Sequence, residues 1–113
     1  MTPEIVAGAG NATFVNTFRC APENQKTVMH LNVDIVQRVA REFPGFVSAT
    51  VHRSLDGTRV INYLQWQTAA DLSAMQRSAQ FQKIARGFDG LIEFDPHEVE
   101  IVHIATQPNP HSR

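Results

Sequence analysis

Residues Pro44 to Gln67 read PGFVSATVHRSLDGTRVINYLQWQ. This stretch predicts two β-strands, Phe46 to Ser54 and Arg59 to Gln67, joined by a tight turn. Asp56-Gly57 indicates the turn, because glycine readily adopts the positive φ angles that tight hairpin turns require. The rest of the fold is predicted from this hairpin outward.

The register of the hairpin decides which side chains share a face of the sheet. A two-residue turn places Val51 opposite Asn62, whereas a bulged three-residue turn places His52 there. Side chains alternate between the two faces of a strand, so only one of these residues can lie beside Asn62. The sequence leaves both registers open.

The segment before the hairpin predicts a strand and a helix. Thr13 to Cys20 alternates in the manner of a strand with one covered face. Pro22 opens the helix, at a position where the missing N–H of proline costs nothing, and Pro44 and Gly45 end it. The buried stripe of this helix repeats every four residues, at Leu31, Ile35, Val39 and Phe43.

The segment after the hairpin predicts a second helical region and a last strand. Thr68 is the predicted N-cap of a helical region from Ala69 to about Phe88, broken near Ser78. Pro96 precedes the last predicted strand, His97 to Ala105. A strand, helix, strand, strand, helix, strand order predicts an α+β fold, a ferredoxin-like sandwich with both helices on one face of a four-stranded antiparallel sheet.

Length and composition predict a single domain. The chain has 113 residues, of which 42% are hydrophobic and 19% charged, which suits one core with room for one small pocket. We expect one domain over residues 1–113, with an ordered core at about residues 13–105 and flexible ends at residues 1–11 and 107–113.

The charge pattern argues against nucleic acid and membrane partners. Ten Lys and Arg residues balance eleven Asp and Glu residues, and neither sign forms a block. No apolar run approaches the roughly eighteen residues of a spanning helix, and the N-terminus lacks the features of a signal peptide. No metal-ligand spacing occurs, and Cys20 has no second cysteine to pair with. We therefore expect a reduced cytoplasmic protein without a bound metal.

The last predicted strand points to a second copy of the chain. His97 to Ala105 carries Val99 and Ile101 on one side, yet Val102 and Ile104 on the other side are also apolar. A strand that is apolar on both sides in so small a protein indicates that something packs on the far side of the sheet. We expect a homodimer joined sheet to sheet.

Two polar groups on the second hairpin strand indicate a ligand pocket. Asn62 and Trp66 carry an amide and an indole N–H on one strand face, among apolar neighbours. A pocket for an oxygenated aromatic ligand needs such hydrogen-bond donors. Structural readings stay open, with Trp66 as an ordinary half-buried aromatic and Asn62 as a satisfied core amide. Asn16, between Phe14 and Phe18, also has two readings: it points into the same pocket, or it has a structural role as a satisfied core amide or a small strand irregularity.

Three motifs of the hairpin carry a family resemblance: PGFVSATVH at Pro44 to His52, DGT at Asp56 to Thr58, and INYLQW at Ile61 to Trp66. With them, the span from about Phe14 to Ala105 resembles the antibiotic biosynthesis monooxygenase family. Within that family it is most similar to the small cofactor-free, quinone-forming monooxygenases of aromatic polyketide pathways, of the actinorhodin-pathway type. The resemblance implies a dimeric α+β barrel.

The resemblance also implies an activity and a set of site residues. Members of this branch oxidise phenolic or anthrone-like aromatics to quinones with molecular oxygen, without metal, flavin or haem. Asn62 and Trp66 match pocket residues that are expected to hold the substrate oxygens or a peroxide. Arg86 matches an arginine expected to favour the phenolate, and His52 a position suited to a proton acceptor. Non-functional interpretations stay open for both residues. Arg86 is then a solvated charge on a helix, and His52 lies at the end of the hairpin in water.

Two departures from that branch leave alternatives open. Leu72 stands where the branch has a tyrosine six residues after the tryptophan, and Val51 replaces a tyrosine beside His52. The two missing hydroxyls favour a different substrate, or a non-enzymatic dimeric binding or stress-response module. Haem degradation on the same fold is disfavoured, because it needs a helix histidine as iron ligand and the helical stretch SAMQRSAQFQKIARGF contains none.

Overall fold

The structure, a computed structural model, describes residues 11–108. In this part of the chain, four antiparallel strands form one sheet. The strands are β1 (Ala12–Cys20), β2 (Phe46–Arg53), β3 (Arg59–Trp66) and β4 (Ile92–Val99), in the spatial order β2-β3-β1-β4. The helices are α1 (Gln25–Arg38), α2 (Ala69–Gln76) and α3 (Ala79–Ala85), and they cover one face of the sheet. The predicted ferredoxin-like α+β fold is confirmed. Of the predicted flexible ends, residues 1–10 and 109–113 lie outside the described residues.

The helix boundaries follow from local side-chain chemistry. The Thr68 hydroxyl accepts the Asp71 backbone N–H at 3.1 Å, as predicted for the cap of α2. The Ser78 hydroxyl accepts the Phe81 backbone N–H at 3.2 Å, which confirms the predicted break and starts α3 as a separate helix. The first predicted helix is one α-helix between two short 3₁₀ turns, Pro22–Asn24 and Ala40–Glu42.

The last strand differs from its prediction. We expected His97 to Ala105, but β4 runs from Ile92 to Val99 and contains Pro96. Proline predicts a strand boundary because it donates no ladder hydrogen bond, yet β4 is an edge strand, where that loss is tolerated. Val102 and Ile104 lie beyond the strand. The pattern from which the homodimer was predicted is therefore not part of the sheet.

The hairpin adopts the register of the two-residue alternative. Val51 lies opposite Asn62, and His52 lies opposite Ile61. The Ser54 backbone N–H donates to the Arg59 carbonyl at 2.9 Å. Residues 55–58 form the loop between these two residues. Gly57 has a φ of +81°, the positive value for which glycine was expected in the turn. Val51 and Asn62 thus share one face, and His52 takes the other.

Asp56 links the stability of the hairpin loop to pH through hydrogen bonds to its carboxylate. Its carboxylate accepts hydrogen bonds from the Thr58 hydroxyl at 2.7 Å, the Ser54 hydroxyl at 2.7 Å and the Thr58 backbone N–H at 3.0 Å. These bonds lower the pKa of Asp56 from 3.8 to about 2. A carboxyl whose pKa is lowered by folding stabilises the fold above its unfolded pKa, and this contribution is lost as the pH falls towards the folded value.

We therefore expect the unfolding free energy of the wild type to fall between about pH 4 and pH 2 more steeply than that of Asp56→Asn. Urea denaturation at both pH values measures the difference, with Asp89→Asn as an exposed-carboxyl control. Equal slopes for the wild type and Asp56→Asn would show that the loop bonds do not couple to folding.

The core lies between the helices and one face of the sheet. One cluster of buried apolar residues surrounds Trp66, and a second surrounds Val28 and Val60. The opposite face, here called the far face, carries the alternate residues of β1 and β3: Thr13, Val15, Thr17, Ile61, Tyr63 and Gln65. Within residues 11–108, none of the helices has the length and apolar character needed to cross a membrane.

Candidate functional site

An apolar cavity of about 210 Å³ separates the helices from the sheet. The sheet contributes walls such as Phe18 and Leu64, and the helices contribute Leu72, Met75 and Phe81. Four amide side chains interrupt this apolar lining, those of Asn16, Asn32, Asn62 and Gln76. Among the described residues that line the cavity, none carries an ionisable side chain.

Strand β3 brings Asn62 and Trp66 to the same wall of the cavity. They are four residues apart on a strand, so both point towards the helices, and their exposed fractions are 6% and 0%. Asn62 Oδ1 and Trp66 Nε1 are both buried without a hydrogen-bond partner among the described residues. An unpaired buried polar atom costs about 1–3 kcal/mol, so two of them on residues that line one cavity make this cavity a candidate ligand site.

Helix α1 holds the other end of the Asn62 amide. Asn62 Nδ2 donates to Asn32 Oδ1 at 2.8 Å, and Asn32 Nδ2 donates to the Val28 carbonyl at 3.0 Å. The free atom of Asn62 is therefore an acceptor, although the sequence pattern had indicated a donor. The indole N–H of Trp66 remains the free donor.

Asn32 is a site residue that the sequence reasoning missed. It lies one helical turn after Val28, between Leu31 and Ile35 of the apolar stripe, and is 2% exposed. An asparagine inside the buried stripe of a helix is a signal in itself, because an amide is placed there only if it finds a partner. The signal for Asn32 in the sequence is therefore a polar residue at a position within the apolar stripe of α1.

Asn16 also reaches the cavity. It lies opposite Asn62 in the pairing of β1 with β3 and is 7% exposed. Of the two readings that the sequence left open, the structure supports the one in which this amide lines the pocket.

The structure does not bring His52 and Arg86 to this cavity. The register turns His52 to the far-face side of the sheet, where it is exposed and its Nε2 lies 3.1 Å from Thr50 Oγ1. Arg86 is exposed at the start of the 3₁₀ turn Arg86–Phe88, and its neighbour Ala85 lines the cavity in its place. Both side chains are exposed to solvent, as expected if they have no role in the pocket.

The two departures from the quinone-forming branch have different surroundings. Leu72 is 7% exposed and forms part of the cavity wall, so leucine in place of tyrosine removes a hydroxyl from the wall itself. Val51 is half-buried and packs against the cluster around Val28 and Val60. The substitution at residue 72 is the one that changes what a ligand would meet.

Other reactive groups lie elsewhere. Cys20 is half-buried outside the cavity lining, and burial raises the pKa of its thiol. In residues 11–108, no three His, Cys, Asp or Glu side chains are grouped as a metal site would require.

Comparison with known proteins adds a family and several relatives. The family model described as antibiotic biosynthesis monooxygenase matches residues 12–87. The chain is 44% identical over 70 residues to the tetracenomycin-F1 monooxygenase of Streptomyces glaucescens, and the match spans 62% of this chain and 62% of that protein.

Solved structures support the fold. A protein from Pseudomonas aeruginosa superimposes with a TM-score of 0.73 at 18% identity, over 84% of this chain and 97% of that chain. SnoaB, a cofactor-independent oxygenase from Streptomyces nogalater, superimposes with a TM-score of 0.63 at 24% identity, over 90% of this chain and 99% of that chain.

Proposed function

The chain belongs to the antibiotic biosynthesis monooxygenase family, and on that premise we propose that it is a cofactor-independent monooxygenase. Its proposed reaction oxidises an electron-rich phenolic or anthrone-like aromatic to a quinone with molecular oxygen. One observation carries this proposal, the apolar cavity in which Asn62 Oδ1 and Trp66 Nε1 have no partner among the described residues.

The cavity suits such a substrate in polarity. Its walls are mainly aromatic and aliphatic side chains, which match an apolar ring system. Asn62 Oδ1 accepts a hydrogen bond from a phenolic hydroxyl, and the Trp66 N–H donates to an oxygen that gains negative charge during the reaction. A donor fixed in a dry site stabilises developing charge more than it would in water.

The proposed chemistry balances without a further reductant. The substrate methylene loses a proton, and the resulting carbanion forms a C–O bond with oxygen to give a peroxide, which takes up one proton. The O–O bond then breaks as the second C–H proton leaves, giving a carbonyl and water. Four electrons pass from the substrate carbon to the two oxygen atoms, of which one enters the quinone and the other becomes water.

The described residues that line the cavity carry no ionisable side chain, so the proposal requires a substrate acidic enough to lose its first proton without a base on this wall. An anthrone-like compound meets this requirement, because loss of its methylene proton gives an anion that is delocalised through the two flanking rings onto the carbonyl oxygen. The roles predicted for His52 as proton acceptor and Arg86 as phenolate partner stay proposals, and they require contacts outside the cavity of one chain.

Oxygen consumption by chelator-treated protein tests the function. We expect uptake of one oxygen molecule for each quinone formed from an anthrone substrate, without added metal or flavin. Turnover only after addition of a cofactor would contradict the proposal. No turnover across a panel of phenols and anthrones would favour the alternative, a non-enzymatic dimeric binding module.

We further propose that the protein is a homodimer joined through the far face. Val15, Ile61 and Tyr63 lie half-buried on this face. A second copy of the chain would cover the exposed parts of these side chains.

Light scattering at micromolar concentration is expected to give twice the chain mass of 12.6 kDa. Ile61→Glu places a charge in the proposed interface and is expected to give monomers, because a buried unpaired charge is costly. Val33→Glu, on the exposed side of α1, is the matched control and should remain dimeric. A monomeric wild type would contradict the interface.

A further inference from the structure

We propose that Asn32 is a positioning residue that fixes the direction of the Asn62 amide, so that an acceptor and not a donor faces the cavity. The proposal rests on the proposed function, in which Asn62 contacts the substrate. It concerns a residue on α1 that contributes no atom to the reaction.

The direction of the two hydrogen bonds has a single origin. The Val28 carbonyl can only accept, so Asn32 must turn its NH₂ group towards it, at 3.0 Å. This leaves Asn32 Oδ1 pointing at β3, where it can only accept from the Asn62 NH₂ group, at 2.8 Å. Turning either amide over would place two acceptors or two donors against each other. A backbone carbonyl of α1 thus sets the polarity of a side chain on the sheet.

Burial makes this arrangement hold. Asn32 is 2% exposed and Asn62 is 6% exposed, so water cannot easily replace a lost partner. Asn62 Oδ1 is left as the acceptor on the wall that also holds the Trp66 N–H donor. The β3 wall of the cavity therefore holds one unpaired acceptor and one unpaired donor in fixed places, and at Asn62 it selects a ligand that offers a hydroxyl.

Loss of Asn32 would release this selection. With leucine at position 32, Asn62 has no partner on α1 and can turn its NH₂ group into the cavity. The freed amide can then donate to an ether oxygen as readily as it accepts from a hydroxyl. The expected signature is a change in ligand preference, which a purely structural role would not produce.

Binding of 1-naphthol and of its methyl ether, 1-methoxynaphthalene, measures the preference without turnover. Trp66 is the sole tryptophan, so its single indole N–H resonance reports cavity occupancy in an NMR titration. We expect the wild type to bind the naphthol about tenfold more tightly than the ether, and Asn32→Leu to reduce that ratio below about threefold. Asn32→Asp keeps an acceptor oxygen facing Asn62 and is expected to retain the wild-type preference.

A double-mutant comparison shows whether Asn32 acts through Asn62. In an Asn62→Ala background, Asn32→Leu should leave the ratio unchanged, because the amide that it positions is gone. The proposal is overturned if folded Asn32→Leu keeps the wild-type ratio, if it changes the ratio equally in both backgrounds, or if the wild type does not discriminate. Asn32→Ala carries the same test should the leucine variant unfold. Absence of oxygen turnover with the preference intact would overturn the proposed function alone.

Discussion

Trp66→Phe is expected to lower kcat for oxygen uptake about a hundredfold, equivalent to about 2.7 kcal/mol of transition-state stabilisation. Trp66 lines the cavity, and its Nε1 is a buried donor without a partner among the described residues, which phenylalanine removes. The phenyl ring keeps much of the packing of the indole, which meets the Phe46 ring edge-on at a centroid distance of 5.4 Å. The loss should therefore fall on the rate more than on the fold.

Phe46→Leu is the matched control for this prediction. It disturbs the same ring pair but leaves the Trp66 N–H in the cavity, so kcat should stay within about threefold of the wild type. Thermal unfolding of both variants measures how much stability each one loses. Wild-type kcat in Trp66→Phe would remove the proposed role of the indole donor.

Asn62→Ala is expected to reduce kcat at least tenfold, which corresponds to about 1.4 kcal/mol. The variant loses the acceptor Oδ1, which is buried without a partner among the described residues, and it also leaves Asn32 Oδ1 without its donor. The first loss acts on substrate positioning, and the second loosens the contact between α1 and β3. Steady-state kinetics with an anthrone substrate, alongside thermal unfolding, separates the two effects.

Gln80→Ala controls for the removal of an amide as such. Gln80 is exposed on α3 and lies outside the cavity lining, so its loss should leave kcat and stability unchanged. If Asn62→Ala retains a kcat within about twofold of the wild type while remaining folded, Asn62 has no part in the reaction.

The hairpin and the helix ends were predictable because their signals are local. Asp56-Gly57 between two alternating segments predicted β2 and β3, and the glycine has the positive φ that the turn required. Ser78 was expected at a helix break, and its hydroxyl caps α3. In each case the residues that form the feature lie within a few positions of one another in the sequence.

The last strand was predicted wrongly because its position in the sheet is not a local property. Pro96 interrupts a central strand but is tolerated at an edge, and only the strand order shows that β4 pairs with β1 alone. The apolar residues Val102 and Ile104 lie beyond the strand and therefore belong to neither face of the sheet. The argument for a homodimer therefore depends on the far face of β1 and β3, and the homodimer stays a prediction.

The candidate site also contains residues that local sequence predicts and residues that it does not. Asn62 and Trp66 could be placed together from the two-residue period of a strand, and the structure puts both in one cavity. Asn32 could not be paired with Asn62, because the two residues are 30 positions apart and meet only through the packing of α1 on β3. His52 depended on a register that alternation alone could not choose, and the register found turns it away.

The fate of labelled oxygen tests the central claim most directly. Chelator-treated wild-type protein is mixed with an anthrone substrate under ¹⁸O₂, beside a protein-free control, and the quinone is analysed by mass spectrometry. The account predicts enzyme-dependent formation of a quinone carrying one ¹⁸O atom at the new carbonyl, with no metal or flavin added. A quinone without label, or label that appears only after a cofactor is supplied, would contradict it.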